Sequence, residues 1–150
     1  MGVVAADQLS KLVMIMSFQP GEERAVTSFF SFVLAFNTGA AFSFLRDAAG
    51  WQRYLFSVIA IAAGALIVWL LRRGGDRLYC AGLALILGGA VGNLWDRVTL
   101  GHVVDFLLFH WRGWYYPAFN VADSAITVGA GLLILDSFGG RRRGRPEPAD

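Results

Sequence analysis

Long apolar segments constrain this chain more than any other feature. Tyr54 to Leu71 contains no charged residue and approaches the roughly 20 residues that an α-helix needs to cross a bilayer. Leu78 to about Trp95 and about Phe119 to Phe138 have similar lengths, and Met1 to Phe18 is a weaker fourth segment. Backbone polar groups must be satisfied within such a segment inside lipid, so the pattern predicts an all-α membrane protein with four transmembrane helices.

The composition supports this class. Of the 150 residues, 56% are hydrophobic and only 16% are charged, whereas a soluble domain usually has about a quarter charged residues. We therefore expect a single integral membrane domain over residues 1–139, followed by a basic, disordered tail over 140–150. The net charge of +2 is too small to favour nucleic acid as a partner, and the phospholipid bilayer is the expected surroundings.

Arginine placement predicts the topology. Arginines are dense in the 72–77 loop and in the tail, whereas the two longer connections balance their charges. The positive-inside rule then places both termini and the 72–77 loop in the cytoplasm. The other end of the helices, with the 96–117 loop and its tryptophans and tyrosines, would lie at the outer face.

The connection from Gln19 to Arg53 contains β-prone, aromatic-rich runs. Phe29–Phe36 and Phe42–Leu45 flank Asn37-Thr38-Gly39, a turn signal that is consistent with a hairpin. A small apolar sheet here would lie on the lipid interface or on the helices. The alternative for Phe29–Phe36 is an interfacial or re-entrant helix.

The first apolar segment contains an acid and a base one helical turn apart. Asp7 precedes Lys11, the more favourable order for such a pair. Either the pair only neutralises itself in lipid, or it faces the bundle interior and supports a site; we favour the second. Only six residues precede Asp7, which predicts a helix lacking an N-terminal turn, and a mis-set start codon is one explanation.

The stretch from Gly88 to Asp123 carries most of the remaining polar groups. Ionisable residues at or near hydrocarbon are energetically costly and usually mark a functional site. Gly88 and Gly92 form a GxxxG step that lets another backbone approach closely. Asn93 and Arg97 follow one turn apart, at the end of the third helix.

A pair of carboxylates is the best candidate for catalysis. The sequence has no HExxH or GxSxG motif and no cysteine cluster, and no metal is expected. If the fold joins Asp105 and Asp123, repulsion and low dielectric would make them share a proton. One carboxylate could then activate water while its protonated partner polarises a carbonyl. Spacing alone leaves the alternative open, namely two unconnected carboxylates with Asp123 near a helix N-terminus.

Five blocks in order resemble the prolipoprotein signal peptidase (signal peptidase II) family. They span nearly the whole chain, and their combination is specific although each block alone is weak. The blocks are DQLSK at Asp7–Lys11, FNTGAAFSFL at Phe36–Leu45, GGAVGNLWDR at Gly88–Arg97, GHVVDF at Gly101–Phe106 and FNVADSAI at Phe119–Ile126.

The resemblance implies four transmembrane helices, a small extramembrane β-cradle between helices 1 and 2, and a short outer-side helix between helices 3 and 4. It also implies that Asp105 and Asp123 form the catalytic dyad of an aspartic endopeptidase. The positions that match supporting residues of the family are Asn93, Arg97, Asn37, Gly39, Asn120, Asp7 and Lys11.

The resemblance further implies the substrate, a bacterial prolipoprotein cut before a cysteine that carries a diacylglyceryl group. The family needs neither metal nor organic cofactor, and we expect a monomer in the bacterial cytoplasmic (inner) membrane with its site near the outer face. Two other classes stay open: a small transporter or proton-pathway protein, and a structural membrane subunit. A transporter predicts acids spread through membrane depth, whereas here they gather at one end, apart from Asp136.

Overall fold

The computed structural model describes residues 1–38 and 51–143, with side chains described up to Phe138. This part of the chain contains four α-helices and four β-strands, and the apolar segments form the helices. In chain order the elements are α1 (Gly2–Ser17), β1 (Glu23–Ala25), β2 (Phe30–Asn37), α2 (Gln52–Arg73), α3 (Arg77–Thr99), β3 (Val103–Trp111), β4 (Trp114–Tyr115) and α4 (Val121–Arg143).

Among the described residues, three helices are long and apolar enough to cross a membrane. They are α2, α3 and the Val121–Phe138 part of α4. Helix α1 has 16 residues, fewer than the roughly 20 that a full span requires. The predicted apolar helices are therefore present, and three of the four have the length of a span.

Helix α3 packs against the other three helices, and its glycines allow close contact. A Cβ on Gly82 would lie 2.9 Å from the carbonyl oxygen of Gly129, and one on Gly129 would lie 2.6 Å from that of Gly82. On another face of α3, a Cβ on Gly92 would lie 2.6 Å from Oδ2 of Asp7. The GxxxG step thus packs against α1, because a Cβ added to its first glycine, Gly88, would likewise lie too close to the side chain of Val3.

The strands form one antiparallel sheet in the order β1-β2-β3-β4. Strands β2 and β3 come from different interhelical connections, and their register places Ala35 opposite Asp105. The sheet packs on α1 through a small apolar core formed by Met14, Leu34, Val104 and Phe106. This contact holds the end of β3 against the helices.

One prediction about the connections was wrong, and another was incomplete. The segment between α3 and α4 contains strands β3 and β4, and the predicted short outer-side helix is not there. The predicted β-cradle does begin in the α1–α2 connection, which supplies β1 and β2, but the α3–α4 connection supplies the other two of the four described strands. The apolar, β-branched run around Val103 pairs with β2, and this long-range pairing decides its conformation.

The β-prone run that begins near Phe29 does form a strand, β2, so the alternative of an interfacial or re-entrant helix was wrong. The predicted turn at Gly39 and the second run, Phe42–Leu45, lie outside the described residues. Helix α4 continues to Arg143, so the first residues of the predicted tail are helical, and 144–150 lie outside the description.

Candidate active site

Asp105 lies on β3, where the sheet meets the helices, and only 2% of its surface is exposed. Each carboxylate oxygen accepts one hydrogen bond from an amide side chain. Nδ2 of Asn37, the last residue of β2, donates to Oδ2 at 3.0 Å, and Nδ2 of Asn120 donates to Oδ1 at 2.7 Å. The strand pairing that the sequence did not predict therefore brings Asn37 to this acid.

Asp123 lies in the first turn of α4, where it forms a reciprocal cap with Asn120. The backbone N–H of Asp123 donates to Oδ1 of Asn120 at 2.9 Å, and the backbone N–H of Asn120 donates to Oδ2 of Asp123 at 3.3 Å. This exchange satisfies donors that a helix N-terminus otherwise leaves open. Nδ2 of Asn93 on α3 donates to the other carboxylate oxygen of Asp123, Oδ1, at 2.7 Å.

Two asparagines connect the two acids. Asn120 contacts Asp105 through its side-chain NH₂ and Asp123 through its side-chain oxygen. The same NH₂ group donates to Oδ1 of Asn93 at 3.1 Å, and Asn93 in turn donates to Asp123. The fold thus brings together two acids that are far apart in sequence, with an amide donor on each carboxylate.

Burial raises the pKa of Asp105 to about 7, because the charged form loses its hydration. The hydrogen bond from Asn37 lowers the pKa, and the nearby carboxylate of Asp123 raises it. An acid with a pKa near 7 can hold or release a proton at neutral pH, which suits general acid–base catalysis.

The pair predicted on α1 is formed and faces the bundle interior. Nζ of Lys11 lies 2.8 Å from Oδ2 of Asp7, 2.8 Å from Oδ2 of Asp96, and 3.1 Å from Oδ1 of Asn93. Gln8 donates to Oδ1 of Asp96 at 2.8 Å.

Asp96 and Gln8 were absent from the predicted site residues. Both adjoin residues that were predicted: Asp96 follows Asn93 by three positions, so the two share a helix face. That periodicity was a usable signal for Asp96. Gln8 could be found only from its contact with α3.

The two remaining predicted site residues are Arg97, which lies near the two acids, and Gly39. Arg97 is half-buried, donates to the carbonyl oxygen of Asn93 at 3.3 Å, and lies with its guanidinium carbon 5.5 Å from the ring centre of Phe56. It lies beside the network, where its charge interacts with those of Asp123 and Asp105. Gly39 lies outside the described residues.

A pocket of about 330 Å³ opens beside Asp123 along one face of α4. Aromatic and aliphatic groups supply most of its surface, and Asp123 is its acidic group. The pocket is lined by Tyr116, Phe119, Asp123, Ser124, Thr127 and Val128.

Other chemistries fit this geometry less well. The side-chain nitrogen of Lys11 already contacts carboxylate oxygens of Asp7 and Asp96 and the amide oxygen of Asn93, so it is poorly placed to serve as base for a serine. Within residues 1–38 and 51–143, no group of three or more histidine, cysteine or acidic side chains is arranged to hold a metal.

Comparison with known proteins gives concordant matches. The family model described as signal peptidase (SPase) II matches residues 1–139. The lipoprotein signal peptidase of Cupriavidus necator is 59% identical over 142 residues, covering 94% of this chain and 81% of that protein. The lipoprotein signal peptidase of Pseudomonas syringae pv. tomato is 56% identical over 146 residues, covering 95% of this chain and 84% of that protein.

Two solved structures of bacterial membrane enzymes, both obtained by the in meso method, are also similar. One, at 2.3 Å resolution, superposes with a TM-score of 0.83 at 26% identity and covers 99% of this chain and 90% of its own. The other, at 1.9 Å, gives a TM-score of 0.80 at 30% identity, covering 89% and 86%.

Proposed function

The chain belongs to the signal peptidase II family, and we propose that it is an aspartic endopeptidase with Asp105 and Asp123 as its catalytic dyad. Its substrate is a diacylglyceryl-modified bacterial prolipoprotein, cleaved before the lipidated cysteine. The observation that carries the dyad is the shared contact with Asn120, whose side-chain NH₂ donates to the Asp105 carboxylate and whose backbone N–H donates to the Asp123 carboxylate.

The dyad would work by exchange of a single proton. The ionised carboxylate takes a proton from water while the water oxygen bonds to the scissile carbonyl carbon. The protonated partner donates to the carbonyl oxygen, and collapse of the tetrahedral intermediate breaks the C–N bond as a proton passes to the leaving nitrogen. The pKa of about 7 for Asp105 supports a pair with one proton at neutral pH.

The surroundings of the dyad suit a substrate that is both peptide and lipid. The pocket beside Asp123 has an apolar lining and runs along the membrane-spanning part of α4. A signal peptide and an acyl chain could both reach the dyad from the hydrocarbon, while water reaches it from the polar side. The exposed tryptophans of the β3–β4 hairpin, Trp111 and Trp114, suit headgroup depth.

The proposed arrangement is a multi-pass inner-membrane monomer. Residues 1–139 form one peptidase domain, α1 completes a set of four transmembrane helices, and 140–150 form a cytoplasmic tail. Both termini face the cytoplasm and the dyad lies near the outer face, as the arginine distribution favours. A reporter that works only in the cytoplasm should therefore be active when fused to the C-terminus. Activity of a reporter that works only outside the cytoplasm would contradict this topology.

The decisive experiment incubates the reconstituted protein with a diacylglyceryl-modified precursor and follows release of the signal peptide. Asp105→Asn and Asp123→Asn should each lower the rate by at least about 1,000-fold, because each removes one member of a proton-sharing pair. Asp136→Asn is the matched control, since its position on α4 is 13 residues, or about 20 Å, beyond Asp123.

The outcomes separate clearly. Cleavage by the wild type and by Asp136→Asn, with loss in both dyad variants that still insert and fold, supports the proposal. Wild-type rates in either folded dyad variant would rule out the dyad. A wild-type protein that leaves the lipidated precursor intact would contradict the peptidase assignment itself.

A further inference from the structure

Three charged side chains, Asp7, Lys11 and Asp96, form a buried trio next to the dyad, with exposures of 0%, 2% and 1%. Lys11 has three N–H donors, and the structure gives it three acceptors: one carboxylate oxygen of Asp7, one of Asp96, and the amide oxygen of Asn93. The lysine therefore joins α1 to two points on α3.

The two carboxylates of the trio also accept backbone hydrogen bonds. Oδ1 of Asp7 accepts from the backbone N–H of Ala122 at 2.9 Å, and Oδ2 of Asp96 accepts from the backbone N–H of Val104 at 3.1 Å. Ala122 directly precedes Asp123, and Val104 directly precedes Asp105. Each carboxylate thus holds the backbone N–H of the residue that directly precedes one acid of the dyad.

A third link passes through Asn93. Because Lys11 donates to its amide oxygen, the NH₂ group of Asn93 must point the other way, and it donates to Asp123 at 2.7 Å. Loss of the ammonium would remove one of the two donors that fix this orientation, the other being Asn120.

These contacts rest on the dyad proposed above, and from them we infer that Asp7, Lys11 and Asp96 form one positioning unit that sets the placement of both catalytic aspartates. Asp96 is the member that sequence analysis did not assign to the site. A buried ion pair seldom adds net stability over an apolar replacement, whereas misplacing a reacting group by about 1 Å can lower the rate 100-fold. The contribution of the unit therefore lies in catalysis more than in stability.

The test compares Lys11→Met, Asp96→Asn and the double variant Lys11→Met/Asp96→Asn. The double variant keeps the single net negative charge of the wild-type trio, so net charge alone cannot explain its behaviour. Cleavage of the diacylglyceryl-modified precursor gives kcat and KM, and thermal unfolding in the same detergent gives Tm. Asp136→Asn again serves as the control.

We expect each single variant to lower kcat by 10- to 100-fold with KM within about twofold, because the pocket that receives substrate is untouched. The double variant should regain Tm relative to the worse single variant while kcat stays low. The loss of kcat in the double variant should not exceed that in the worse single variant, because contacts within one unit are not additive.

A double variant that regains both Tm and kcat would show a purely structural trio and would overturn the inference. Wild-type kcat in a folded single variant, a rise in KM alone, or multiplicative losses in the double variant would do the same.

If neither neutral variant folds, Asp96→Glu keeps the charge but moves the carboxylate by one methylene. It should lower kcat without changing KM, and its failure to fold would assign the trio to folding and overturn the positioning role. The proposed function is tested separately, because it fails only if wild-type protein leaves the precursor intact or a folded dyad variant cleaves it.

Discussion

The two ends of the α3–α4 contact are held in different ways. At one end Gly82 and Gly129 bring the two backbones together, so that an added Cβ on either would lie within 3 Å of the opposing carbonyl oxygen. At the other end Asn93 bonds to Asp123 and to Asn120 across the same interface. Close glycine packing sets the separation of two helices, whereas directional hydrogen bonds also set the orientation of side chains.

With Asp105 and Asp123 as the proposed dyad, we expect the glycine end to contribute stability and the asparagine end to contribute catalysis. Substitutions at the two ends should therefore affect different measurements. The following four variants can contradict or refine this division.

Among these four variants, Gly92→Ala, at the end of the contact that contains Asn93, should have the largest effect on kcat. Its Cβ would lie 2.6 Å from the buried Oδ2 of Asp7, which also contacts Lys11, so the side chain would have to shift. We expect kcat to fall by about 100-fold in folded protein. Gly131→Ala is the matched control, because its Cβ meets nothing within 4 Å. An unchanged kcat in Gly92→Ala would mean that the site tolerates displacement of Asp7.

Gly129→Ala tests the opposite end. Overpacking against the carbonyl oxygen of Gly82 costs about 1–3 kcal/mol and should lower Tm by about 5 °C. The kcat of the folded fraction should stay within about twofold of wild type. A large fall in kcat at normal Tm would show that the two ends are coupled and would remove the distinction.

Asn37→Ala examines the contribution of the sheet to the site. Asn37 donates to Oδ2 of Asp105 and lowers its pKa, so the variant should raise that pKa further above its ordinary value. We expect kcat/KM to fall by about 10-fold. The limb of the pH profile that reports Asp105 should move to higher pH, because the carboxyl group then keeps its proton longer. An unchanged profile would remove Asn37 from the site.

The smallest effect should come from Gly64→Ala on α2. Its Cβ would lie 3.6 Å from a methyl carbon of Leu87, an ordinary van der Waals distance. Alanine is a better helix former than glycine by about 1 kcal/mol, so Tm should rise by about 2 °C with kcat unchanged. A marked loss of stability would show that the α2–α3 contact is as tight as the α3–α4 contact.

The sequence alone predicted the apolar helices and, through its resemblance to the signal peptidase II family, the two acids proposed as the dyad. Apolar runs such as Tyr54–Leu71 predict helices because in lipid the backbone must bond within its own segment. The pairing of Asp7 with Lys11 followed from their spacing of four, whereas its interior position was the favoured one of two alternatives. Asp105 and Asp123 were candidates because acids are costly near hydrocarbon, and their assignment as a catalytic dyad stays a prediction.

The tertiary structure alone decided how these parts meet. The run at Val103 forms a strand because β2, more than 60 residues earlier, supplies its partner, and no local pattern encodes that pairing. The same pairing brings Asn37 to Asp105. Asp96 joins the site through Lys11 and Gln8 on α1 and the backbone N–H of Val104, contacts that depend on the tertiary structure. Local periodicity determines which residues share one face of a helix, whereas contacts between distant segments depend on packing of the whole chain.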